Sequence, residues 1–64
     1  MRTDKMWLTL RHHGKKYSIE YWTHRFTDDR LQHHMRYRDV DVKSDNFDEC
    51  AQGLRDGISK KYNL

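Results

Sequence analysis

Sixty-four residues bound the chain to a single domain, and 34% hydrophobic against 36% charged residues leave little apolar surface for its core. Cys50 is the only cysteine, so no intrachain disulfide can staple the fold, which points to a reducing cytoplasm rather than secretion. No apolar run has the length of a membrane span or the form of a signal peptide, and the formal net charge is +3.

The charge is unevenly spread. Residues 1–38 hold nine Lys/Arg against four acids, a balance of +5, whereas residues 39–64 hold four against six, a balance of −2. The basic half is the one that alternates. From 6 to 10, Met6, Leu8 and Leu10 share one side and Trp7 and Thr9 the other. From 17 to 21, Tyr17, Ile19 and Tyr21 oppose Ser18, Glu20 and Trp22. A two-residue turn at His13-Gly14 would set Leu10 against Tyr17, Leu8 against Ile19 and Met6 against Tyr21. A one-residue slip would destroy this match, so the register is specified. Both tryptophans then lie off the core face.

A third strand is predicted over about 31–42, after a turn at Thr27-Asp28-Asp29. The expected pairs are Tyr21 with Tyr37, Thr23 with Met35, Trp22 with Arg36, Glu20 with Arg38 and His24 with His34. Val40 and Val42 have the wrong parity for the core, and a bulge near Arg38-Asp39 is expected to return them to it. The tail reads as a helix capped by Ser44 or Asp45, with Asp48 and Glu49 in its first turn. Phe47, Cys50, Ala51, Leu54 and Ile58 recur at helical spacing, and Tyr62 extends the stripe. The expected fold class is therefore α+β: a three-stranded antiparallel sheet, β-β-β, followed by one amphipathic helix packed on one face.

One helix covers one face. The other would present Trp7, Arg11, Lys16, Trp22, His24, His34, Arg36 and Arg38, relieved by a single acid, Glu20. Cations can neutralise phosphates with release of counterions, arginine can fork onto guanine edges, and tryptophan can stack on a base. The acidic helix would point away from such a ligand. The expected partner is nucleic acid, DNA ahead of RNA.

Three strands and a helix, with "KKYSIEYW" in a central strand and "VKSDNFDECAQGL" entering the helix, resemble the arm-binding domains of tyrosine recombinases. They also resemble the plant ethylene-response DNA-binding domain. The resemblance implies a sheet laid in the DNA major groove, its exposed arginines and tryptophans making the contacts. The chain departs from the plant family in lacking its first-strand glycine and arginine pattern.

A second class of partner fits the same residues, because Trp, Tyr and Arg dominate protein interfaces. A small, highly charged single domain resembles the accessory proteins of bacteriophages, and this implies an inhibitor or adaptor that binds a host protein through the same face or a sheet edge. The two readings are a regulatory nucleic-acid-binding protein of a phage or mobile element, and a blocker of a host protein in the host cytoplasm. Steep loss of affinity with salt separates the first from the second. A homodimer would supply additional core to either.

Chemistry is not expected. His12-His13 and His33-His34 are adjacent along strands, so each pair points to opposite faces and supplies no two converging metal ligands. Cys50 lies on the helix stripe as a structural thiol. With no nucleophile motif and no phosphate-cradling glycine loop, the reading is of a binding protein without cofactor, metal or enzymatic activity.

Overall fold

The computed structural model describes residues 4–62. Four antiparallel strands in the order β1-β2-β3-β4 form one sheet: β1 Met6–His12, β2 Lys15–Arg25, β3 Leu31–Tyr37 and β4 Val40–Ser44. A single helix, α1 Phe47–Tyr62, packs across β3 and β4. The α+β class with one C-terminal helix is as expected, but the sheet has four strands and not three.

The first hairpin follows the alternation residue for residue. Leu8 faces Ile19, Leu10 faces Tyr17 and Met6 faces Tyr21. His13 and Gly14 turn the chain with φ of 51° and 74°, the pair of positive values that a two-residue type I′ turn requires.

The second hairpin keeps the expected faces and loses the expected partners. Its loop is Thr27–Asp29, closed by the Phe26 N–H donating to the Arg30 carbonyl at 2.9 Å. Asp29 takes a positive φ of 67°, and the Asp28 carboxylate accepts from the Arg30 N–H at 3.3 Å. The hairpin is thus centred on Asp28, one residue earlier than the expected pairs need. Tyr21 faces Met35, Trp22 faces His34, Thr23 faces His33, His24 faces Gln32 and Glu20 faces Arg36. A slip of two residues preserves every side-chain direction, and for that reason alternation could not detect it.

The strand expected over 31–42 is two strands. Arg38-Asp39 is a reversing turn and not a bulge: Arg38 has φ of 55°, and Tyr37 pairs with Val40. The turn solves the parity problem, because cross-strand partners share a face. Val40 and Val42 thereby join Tyr37 and Met35 on the core side.

Leu10, Tyr17, Ile19 and Met35 from the sheet pack with Cys50, Ala51, Leu54 and Ile58 from the helix, all buried. The helix cap is Asn46 rather than Ser44 or Asp45. The Asn46 side-chain oxygen accepts from the Glu49 N–H at 3.0 Å, and the Asn46 carbonyl accepts from the Cys50 N–H at 3.0 Å. Ser44 supports the cap, accepting from the Asn46 N–H at 3.2 Å and donating to the Glu49 carboxylate at 3.3 Å. At the other end of the sheet, Arg55 donates to the Arg11 carbonyl at 2.8 Å and braces the helix against β1.

Candidate nucleic-acid interface

The side of the sheet away from α1 is built by alternation from four strands. Trp7, Thr9 and Arg11 come from β1, and Lys16, Ser18, Glu20, Trp22 and His24 from β2. Gln32, His34 and Arg36 come from β3, and Asp41 and Lys43 from β4. Lys5, just before β1, continues the same parity.

The centre of this face is an aromatic stack. Trp22 and His34 are cross-strand partners whose rings lie 5.3 Å apart and within 10° of parallel. The Lys5 ammonium sits 4.9 Å from the Trp22 ring centroid and pairs with Glu20 at 3.2 Å. Arg36, flanked by Glu20 on β2 and Asp41 on β4, forms an ion pair with Asp41 at 3.6 Å and donates to the Arg38 carbonyl at 3.0 Å. Lys5, Trp22, His34, Arg36, Asp41 and Lys43 enclose most of a depression of about 370 Å³. Trp7, on the edge strand, leaves 71% of its surface exposed.

Seven of the eight residues predicted for this face belong to it. Arg11 and Lys16 face each other beside the first turn. His24 is turned toward the hairpin tip, its ring 4.7 Å from Phe26, and it does not pair with His34. Arg38 is the exception. Its guanidinium lies over the Tyr37 and Tyr62 rings at 5.5 and 5.7 Å, and both of those rings pack with the core on the helix side. The turn at Arg38-Asp39 takes this side chain out of the sheet and off the basic face.

Three participants were missed. Lys5 could have been found by carrying the alternation of β1 back by one residue. The outward direction of Asp41 and Lys43 follows from turning Val40 and Val42 to the core, but their place beside Arg36 and His34 needs β4 to pair back on β3. With Asp41 the face carries two acids, where one was expected. Among the described residues it holds Lys5, Arg11, Lys16, Arg36 and Lys43 against Glu20 and Asp41, so it remains net positive.

The helix side carries a different feature. Because α1 lies over β3 and β4, the β1 end of that side is partly uncovered: Met6 is 50% and Phe47 42% exposed. Beside Phe47 a groove of about 540 Å³ is floored by Leu8, Leu10, Ile19 and Met35 and walled by Asp48, Glu49, Ala51, Gln52 and Arg55 of the helix. Cys50 is buried, its thiol held 3.6 Å from the His33 carbonyl and 3.8 Å from that of Val42. Burial pushes the thiol pKa up.

No group of three or more His, Cys, Asp or Glu converges as a metal site among the described residues, and no described helix is long and apolar enough to cross a membrane. Comparison with known proteins gives no match to a family model, a curated protein or a solved structure.

Proposed function

We propose that the open face of the sheet binds nucleic acid, and that the protein acts by this binding rather than by catalysis. The observation that carries the reading is the depression around the Trp22–His34 stack, lined by three cations, Lys5, Arg36 and Lys43, against one acid, Asp41. Anionic phosphates are attracted to such a lining, and each contact made releases counterions from the nucleic acid. The flat rings supply area for sugar and base. α1, on the opposite side of the sheet, balances Asp48, Glu49 and Asp56 against Arg55, Lys60 and Lys61, so the net positive charge of the open face is its own.

Arg36→Ala combined with Lys43→Ala tests it. Affinity for an oligonucleotide should fall, and the slope of log affinity against log salt should shrink by about one for each phosphate contact removed. Arg38→Gly is the control: it removes a cation that faces the other side and suits the positive φ there, so affinity should hold. Unchanged binding in the double variant, with circular dichroism unchanged, would remove this face from consideration.

The second reading, a protein partner, draws on the groove beside β1. An edge strand with Met6 and Phe47 exposed next to it can accept an extended segment as a fifth strand, its apolar side chains entering the groove. Such binding would be only weakly salt-dependent, would survive nuclease, and would be lost on Leu8→Lys rather than on the Arg36/Lys43 substitutions.

A further inference from the structure

We infer that the ligand of the open face is single-stranded nucleic acid, its bases unpaired and stacked on the sheet; the inference rests on the proposal that this face binds nucleic acid. Three observations carry it: the width of the sheet, the exposure of Trp7, and the setting of carboxylates beside cations across the face.

Width decides against a duplex held in its major groove. Four strands at a spacing of about 4.8 Å put the outer strand axes about 14 Å apart before any side chain is added. The molecule measures 38 × 19 × 18 Å along its principal axes. A DNA major groove is about 12 Å wide and admits a helix or a two-stranded ribbon. Three strands, about 10 Å across their axes, could enter; the fourth strand, β4, closes that route.

The aromatic rings point the same way. In a duplex the bases lie face to face and present only their edges, so a tryptophan on a broad flat sheet has no ring to stack on. An unpaired base offers its π-face, and aromatic side chains on an open sheet are the platforms that take it. Trp7 offers such a platform, and the Trp22–His34 stack lines a depression beside it. A face meant only for phosphates would be uniformly cationic. Here Arg36 is set beside Asp41 at 3.6 Å and Lys5 beside Glu20 at 3.2 Å, so donors and acceptors alternate from the β1 side of the sheet to β4. That pattern suits the edges of splayed-out bases, which both donate and accept. Arg11 and Lys16 at the first turn, and Lys43 beside the stack on β4, are placed to meet the backbone.

The test compares one mixed-sequence 20-mer in three forms by fluorescence anisotropy: single-stranded DNA, single-stranded RNA and the DNA duplex. Either single strand should bind at least tenfold more tightly than the duplex, and the two single-stranded arms show whether DNA or RNA is the source. Trp7→Ala should weaken single-strand binding about 5- to 150-fold, as loss of one stacked base does, while Trp7→Phe restores most of it. Equal or tighter binding to the duplex, still lost in the Arg36/Lys43 double variant, would overturn the single-strand inference and leave the face as a nucleic-acid site. Absence of binding to all three forms would overturn both. Full single-strand affinity in Trp7→Ala would overturn the stacking role.

Discussion

Arg38 and Asp39 show how two exposed residues tie the sheet to the helix. A non-glycine residue at positive φ costs roughly 1–2 kcal/mol, and nothing in Arg38 itself favours it. The conformation is held from the far end of the chain. The Arg38 guanidinium lies over Tyr62, and the Asp39 carboxylate accepts from the Lys61 ammonium and the Tyr62 hydroxyl. The hydrogen bond from Lys61, and then that from Tyr62, hold the Asp39 carboxyl at about 2, below its ordinary 3.8. A carboxylate depressed in this way adds stability above its unfolded pKa and loses that contribution as pH falls through its folded one. The melting temperature should therefore decline more steeply between pH 4 and pH 2 in the native chain than in Asp39→Asn. The difference will be small and salt-sensitive, since the groups are exposed. Parallel curves would mean that this contact does not brace the turn.

At the scale of elements, the closeness of α1 to β4 is set by two glycines that behave differently. A Cβ on Gly53 would lie 3.7 Å from Val42 Cγ1, an ordinary contact, whereas one on Gly57 would lie 2.7 Å from Val40 Cγ1. Both substitutions by alanine gain about 1 kcal/mol in helix propensity. Only at Gly57 is that gain opposed by a clash, and the neighbour is a β-branched methyl that cannot swing aside. Gly53→Ala should raise the denaturation midpoint, and Gly57→Ala should lower it. A rise for both would show that helix and strand separate more easily than their packing implies. The same closeness holds α1 toward β3 and β4, so that it meets β1 through Leu10 and Arg55 and leaves Met6 exposed.

For the whole molecule the limiting quantity is core. Eight of the described residues are buried, and a chain of this size has stability of only about 3–10 kcal/mol. Leu54 and Ile58 are completely buried, and shortening either to alanine costs about 2–5 kcal/mol. Leu54→Ala should therefore leave much of the population unfolded at 37 °C, seen as loss of the cooperative thermal transition in circular dichroism; a transition within a few degrees of the native one would mean the core lies elsewhere. The open face contributes little to this balance. Trp7 and Lys43 are exposed, so changes there can alter binding without unfolding the domain.

Side-chain direction was legible in the residues alone. Met6, Leu8, Leu10, Tyr17, Ile19 and Tyr21 turned to one side and Trp7, Arg11, Lys16 and Trp22 to the other, because the two-residue period of a strand and the 3.6-residue period of a helix are local properties. Strand count, the partners across β2 and β3, and the side taken by Arg38 were decided by tertiary structure. A two-residue slip leaves alternation untouched, and a positive φ at Arg38 is favoured by groups at positions 61 and 62. The cluster of Lys5, Arg36 and Lys43 about Trp22 exists only once four strands lie side by side, since those residues are brought together by pairing across the sheet and not by spacing along the chain.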